Sequence, residues 1–216
     1  MDEAALRDQV IEAILPDVPF DGWSGAVLTA AARRLGIDDG EIAVLFPRGG
    51  RDAVAGFSHW ADRRMSDALA AMDVPAMKVR ERIAAAVEAR LAVLEPHREA
   101  VRRALALLAL PQNLGLGAKL LYDTVDAMWY AAGDTATDFN FYTKRGLLAG
   151  VYAATTLYWL DDRSPQAEAT RAFLERRLAD VMAIPRAGAR MRERLERLPH
   201  PLRLLRTARR RRSSAA

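Results

Sequence analysis

The side chains that do acid–base, nucleophilic or metal chemistry are few in this sequence and poorly spaced for it. Its three histidines, His59, His97 and His200, lie far apart, and none sits in an E-x-x-H or H-E-x-x-H pattern. A di-iron bundle or a helical zinc site needs such spacing, because it puts the ligands on one helix face. The chain has no cysteine, which removes thiolate nucleophiles, thiolate zinc sites and disulfides together. The "GLG" at Gly115 to Gly117 follows no strand pattern, so it reads as a hinge or kink and not as a phosphate-binding loop. There is no G-x-S-x-G elbow. Asp161 and Asp162 are adjacent, so their side chains diverge, and they read as a helix end. His59 is expected to pack beside Trp60. Together these residues predict no metal, no cofactor and no catalytic centre, which leaves binding as the leading class of function.

One stretch could do recognition chemistry: "DAMWYAAGDTATDFNFYTKRG", Asp126 to Gly146, which sets Trp129, Tyr130, Phe139, Phe141 and Tyr142 among carboxylates and two basic residues. On the helix that leads into it, Leu120, Leu121, Thr124, Val125, Met128 and Ala132 make one broad apolar face. Asp123, Asp126 and Tyr130 fall at i, i+3 and i+7 on another face, with Trp129 beside them. A core position for Trp129 and Tyr142 is one reading. The other is an interface anchor with a polar rim, since aromatics, Met and Asp mix where two helix ends converge on a short turn. The predicted partner-binding residues are Asp126, Met128, Trp129 and Tyr130.

The elements that must position this stretch are helical. Half of the 216 residues are apolar, with Ala, Leu and Arg dominant, a composition that favours helix. Leu6, Val10, Ile11, Ile14 and Leu15 recur at helical spacing up to Pro16. Val27, Leu28, Ala31, Ala32 and Leu35 form a second stripe, closed by Gly36 as a C-cap. Asp38 is placed to cap a short helix, Asp39 to Phe46, and Asp52 to cap a long one through about Met72. Further helices are predicted from about Ala76 to Leu94, His97 to Leu110, Ala118 to Ala132, Asn140 to Leu160 and Gln166 to Ile184. No hairpin signal interrupts them. The apolar runs fall short of the ~20 residues of a spanning helix, and the acidic, amphipathic start "MDEAALRDQV" is unlike a signal or transit peptide. A cytoplasmic, bacterial protein is expected.

The charge is divided. Eleven Arg and two Glu between Arg186 and Ala216 give that segment +9, so the rest carries about −5 of the chain's +4. Within it, Leu195, Leu198, Leu202 and Leu205 recur near helical spacing among Arg203, Arg206 and other basic residues. This suits an interfacial helix on an anionic membrane, broken by "PHP" at Pro199 to Pro201; a disordered, solubilising tail is the alternative.

Residues 5 to 70 resemble the N-terminal domain of tetracycline-repressor (TetR) regulators in the Ala-rich second helix, the "LGI" turn, the short third helix and its aromatic-Pro stop. The charges oppose DNA binding. Asp38, Asp39 and Glu41 open the helix that would enter a groove walled by phosphates, and no basic residue lies in it. Arg33, Arg34, Arg48 and Arg51 lie nearby, so a ligand-responsive TetR-type repressor is kept as the second reading.

The Asp126 to Arg145 stretch itself resembles the signature of the Coq-nine family of lipid-binding accessory factors of ubiquinone biosynthesis: D-x-M-W-Y, A-G-D, a small-residue turn, T-D-F-N, an aromatic, Y-T and two basic residues. This chain departs from it at Ala131, where Tyr is usual, and at Phe141, where Trp is common. The resemblance implies an all-α, TetR-like homodimer that binds an isoprenoid or quinone lipid and presents it to a di-iron ring hydroxylase docked around Asp126 to Tyr130. It also implies that the tail contacts the inner face of the cell membrane. Leu105, Leu108, Leu116, Leu120, Leu147, Leu148, Val151 and Tyr152 are the residues expected to line the lipid slot, although an ordinary packed core fits their pattern as well. The expected organisation is a helix-turn-helix-like domain over 1–50, a lipid-binding and dimerisation domain over 51–185, and a basic tail over 186–216.

Overall fold

A computed structural model describes residues 2–133 and 139–181, the first four of the latter segment by backbone alone. Among them there is no strand. The helices are α1 (Glu3–Ile14), α2 (Val18–Asp21), α3 (Gly25–Leu35), α4 (Asp39–Leu45), α5 (Gly50–Ala70), α6 (Val79–Leu94), α7 (Arg98–Leu108), α8 (Leu114–Ala131) and α9 (Phe139–Asp161). A tenth, α10, covers residues 168–181. The all-α expectation therefore holds. Residues 1–175 form one compact unit and residues 176–216 a second; the predicted tail residues Leu195, Leu198, Leu202, Leu205, Arg203 and Arg206 lie outside the described residues.

Within the first unit α5 is the axial helix, packing on α1, α6 and α8, while α8 packs in turn on α9. Its length follows from a continuous inward stripe, Ala53, Val54, Phe57, Ala61, Met65 and Leu69, at spacings of three and four. A ring cluster joins its N-terminal half to its neighbours. Phe57 lies 5.1 Å from Trp23 and 5.8 Å from Trp60, and His97 meets both Phe57 and Trp60 edge-on. Burial pushes the His97 imidazole below its ordinary pKa. The indole N–H of Trp23 donates to the Ala100 carbonyl at 3.0 Å, so the loop before α3 is tied to α7. His59, expected beside Trp60, instead points its Nε2 at Asp123 on α8, 3.4 Å away.

The helix-turn-helix segment forms as its turn chemistry predicts. Ser24 accepts from the Val27 N–H at the start of α3, and Gly36, at φ 67°, ends it in the left-handed region that glycine enters without steric cost. Asp38 accepts from the Gly40 N–H at 2.8 Å and caps α4. Leu35, assigned to the apolar stripe, is 42% exposed, because it falls in the last turn of α3 beyond the face that α1 covers.

Three predicted boundaries move. The cap of α5 is Gly49, and Asp52 sits in the first turn, where it accepts from the Arg48 N–H and pairs with its guanidinium at 2.7 Å. The helix drawn from Ala76 begins at Val79 after a 3₁₀ turn over Val74–Ala76, with Glu81 reaching back to the Lys78 N–H at 2.9 Å. Gly115 and Gly117, read as a hinge, lie inside the first turn of α8, and the break is confined to the residues before Leu114. Asp161 and Asp162 do end α9. Asp162 accepts from the N–H and hydroxyl of Thr170 and from the Ser164 N–H. Burial raises its carboxyl pKa, but these hydrogen bonds outweigh that effect and hold it well below the usual carboxylate range.

Close packing makes Gly50 a sharp test of the junction between α5 and the Trp23 loop. A Cβ there would sit 1.9 Å from the Trp23 carbonyl oxygen, whereas at Gly25 a Cβ would meet nothing within 4 Å. Gly50→Ala is expected to cost about 1–3 kcal/mol in urea unfolding, and Gly25→Ala to stay within about 0.5 kcal/mol of the parent. Equal stability of the two variants would contradict the packing described.

Candidate binding cavity and surface patch

Five helices enclose an apolar cavity of about 320 Å³. Val54, Phe57 and Ser58 come from α5, and Arg90 and Leu94 from α6. From α7 come Val101, Ala104, Leu105 and Leu108, and from α8 Gly117, Leu120, Leu121 and Thr124. Tyr152, Ala153, Thr156 and Leu157 complete it from α9. The α8 contribution repeats at i, i+3, i+4 and i+7, so one helix stripe faces the space. α8 passes close to α7 at Gly117, where a Cβ would meet the Leu108 Cβ at an ordinary contact distance of 3.5 Å.

The polar part of the wall is a buried network centred on Arg90, which is 5% exposed. Its Nε donates to the Asp62 carboxylate at 2.7 Å, one terminal nitrogen to the Tyr152 hydroxyl, and the other to the Ser58 hydroxyl at 3.1 Å. Thr124 donates to the second Asp62 oxygen at 3.2 Å. The guanidinium carbon lies 5.3 Å from the centre of the Tyr152 ring. Burial works against the charged guanidinium, but Tyr152 and the Asp62 carboxylate outweigh it and raise its pKa above the ordinary arginine value.

Of the eight residues expected to line a lipid slot, Leu105, Leu108, Leu120 and Tyr152 line this cavity. Leu148 and Val151 are buried in the core, and Leu116 and Leu147 are half-buried; none of these four lines the cavity. The cavity meets α9 only from Tyr152 to Leu157, so residues in the preceding turn fall outside it, and Leu116 lies on a neighbouring face of α8. The contributions of α5 and α6 were missed. A signal for Arg90 existed: Ile83, Ala86, Val87, Arg90 and Leu94 share one buried helix stripe, and a lone arginine at such a position needs a buried partner.

The predicted partner patch divides. Tyr130 is 81% exposed at the end of α8. Asp126 is half-exposed and accepts from Arg145 Nε at 2.6 Å. Trp129 is half-buried, with the Lys144 ammonium 5.4 Å from its ring centre. Met128 is a correction: it is fully buried, because it continues the inward stripe of Leu120, Thr124 and Val125. It supports the patch from below and is not part of it. The side chains of Phe139, Phe141 and Tyr142 lie outside the described residues. Asp123 on the same helix is paired with Lys119. Among the described residues, no three His, Cys, Asp or Glu side chains are grouped to hold a metal ion.

An all-α TetR-type architecture with an apolar cavity walled by its central helices is the class of protein these features define. A TetR transcriptional regulator from Nitrosomonas europaea ATCC 19718 has this fold at TM-score 0.66 and 22% identity, over 82% of this chain and 98% of that one. The COQ9 family model matches residues 114–185. The "Ubiquinone biosynthesis protein COQ9, mitochondrial" of Rattus norvegicus is 35% identical over 187 residues, 83% of this chain and 60% of that protein. The Homo sapiens protein of the same name is also 35% identical, over 83% of this chain and 58% of its own length. The chain is thus similar to COQ9 proteins over about four fifths of its own length. It spans about three fifths of the length of these relatives.

The Arg90–Asp62 pair should behave as a unit. Removing one partner strands a buried charge, so Arg90→Met or Asp62→Leu alone is expected to cost about 3–5 kcal/mol in chemical denaturation. The double variant should recover most of that loss. Additive losses in the double-mutant cycle would show that the two side chains are not coupled.

Proposed function

We propose that this chain is a non-enzymatic, lipid-binding accessory protein of ubiquinone biosynthesis, which holds an isoprenoid or quinone intermediate and brings it to a ring hydroxylase. The observation that carries the reading is the cavity between α5 and α9, whose walls are mostly leucine, valine and alanine, with one neutralised polar cluster and the Thr156 hydroxyl as their polar part. Apolar lining with a few placed polar groups is what a prenylated ring requires. Similarity to COQ9 proteins, which are named for ubiquinone biosynthesis, supports the pathway.

Tyr130, Trp129 and Asp126 are the proposed docking residues for the hydroxylase, of the di-iron type where one is present. Tyr130 supplies exposed aromatic area, Trp129 a partly sheltered ring, and Asp126 a rim charge held by Arg145. A homodimer held at the inner face of the cell membrane by the basic tail completes the proposal.

The TetR-type repressor reading has the fold behind it and little else. Asp38, Asp39 and Glu41 are all exposed around the start of α4, where they would repel phosphate. Arg34 is engaged by Asp17 and Arg48 by Asp52, each at 2.7 Å.

Organic extraction of the purified full chain, followed by mass spectrometry, should yield an isoprenoid or quinone-type lipid. Protein that is reproducibly empty and takes up no prenylated quinone would reject the carrier reading. For the docking surface, Tyr130→Ala should weaken capture of the hydroxylase at least tenfold with an unchanged Tm, whereas Met128→Lys should unfold the chain by burying a charge. Undiminished capture by a folded Tyr130→Ala, Trp129→Ala double variant would place the partner elsewhere.

A further inference from the structure

Two hydroxyls on the cavity wall have hydrogen-bonding capacity that the fold leaves unspent. Thr155 and Thr156 are neighbours on α9 and both are buried, at 0% and 6% exposed. Thr155 donates to the Val151 carbonyl at 2.7 Å, the usual contact of a helical threonine. The Thr156 hydroxyl has no hydrogen-bond partner and lines the cavity. Buried hydroxyls without partners are rare, because the water they give up is not replaced. One turn earlier, Tyr152 lines the same space and its oxygen accepts from Arg90. A guanidinium cannot accept, so that contact leaves the phenolic proton of Tyr152 available. Residues 152 and 156 are at i, i+4, so two donors lie on one helix face toward an otherwise apolar space.

The charge state of this region selects among ligands. Arg90 is already neutralised by Asp62 at 2.7 Å. A phosphate pressed against the cluster would be buried without a counter-charge, whereas a carbonyl, phenol or ether oxygen needs only the donors present. Volume sets the orientation. About 320 Å³ accommodates a substituted ring and the first part of a chain, but no full polyprenyl tail. The lining passes from buried Arg90 and Tyr152 to half-buried Leu108 and to Leu157, which is 60% exposed, and this is the side on which a tail leaves.

We propose that the cavity takes a neutral, oxygen-bearing ring head-first, with a ring oxygen accepting from Thr156 and Tyr152 and the apolar tail leaving past Leu108 and Leu157. This rests on the lipid-carrier reading and adds to it the class of head group and its direction. The ring is then shielded during carriage and must be released before an enzyme can act on it.

The test is isothermal calorimetry on the full chain with three probes of equal tail length: decyl-1,4-benzoquinone, decylbenzene and decyl phosphate. Thr156→Val keeps the shape and removes the hydroxyl. It is expected to weaken the quinone five- to tenfold, to leave decylbenzene unchanged, and to leave the unliganded Tm unchanged or higher. Thr156→Ser should retain the quinone affinity of the parent, and decyl phosphate should bind more weakly than the quinone. Quinone affinity equal in the parent and in Thr156→Val, or decyl phosphate binding as tightly as the quinone, would overturn the head-first proposal while leaving the carrier reading standing. Failure of both the quinone and decylbenzene to bind the parent would overturn the carrier reading, and the proposal with it.

Discussion

Arg90 and Asp62 face each other across α5 and α6 with almost no access to water. Neither charge is tolerable alone at that depth, and each becomes tolerable because the other is 2.7 Å away. The pair also recruits neighbours: Tyr152 from α9, Thr124 from α8 and Ser58 from α5. Apolar packing is non-directional and allows helices to slide by small amounts at little cost. A buried ion pair with fixed hydrogen-bond geometry does not, so the register of α5, α6, α8 and α9 at this level is pinned by one cluster.

The cavity borders that arrangement: Arg90, Ser58, Thr124 and Tyr152 are part of its wall. The residues around the space are ordinary core types, Leu94, Val101, Ala104 and Leu120 among them. What suits it to the proposed lipid is the combination of a neutralised cluster, two available donors and an apolar exit. The same two helices that shape its wall, α8 and α9, carry the exposed Tyr130 and the Asp126–Arg145 pair near their junction. The proposed ligand cavity and the proposed docking surface are thus on shared elements, as a carrier that hands over its cargo on contact would require.

The helix-turn-helix segment keeps the geometry of its fold with a charge pattern of its own. Gly36 and Asp38 preserve the tight turn and the cap that place α4 against α3. Carboxylates then occupy the positions from which a recognition helix would approach phosphate. Geometry and electrostatics point in opposite directions here, since neutralising phosphate supplies much of the free energy of nucleic-acid binding.

Periodicity alone determined the helical class, the approximate span of nearly every helix, the turn at Gly36 and the inward stripes of α1 and α3, since these depend on residues three and four apart. The Asp126 to Arg145 signature pointed to the family, and the absence of grouped ligands pointed away from metal chemistry. Other features depend on residues far apart in the chain. Asp62 and Arg90 are 28 positions apart, and Arg90 and Tyr152 are 62 apart; no local pattern joins them. Met128 shares a heptad with Trp129 and Tyr130, yet it is buried while Tyr130 is exposed, because only the packing of α8 on α5 and α9 says which face is covered. Leu148 and Leu120 look equally fit to line a slot, and only the place where the helices separate selects the second. Sequence sets what each helix can offer to its neighbours; which offers are met, and which are left facing an empty space, is settled by tertiary packing, because burial and charge pairing belong to contacts between helices and not to any one of them.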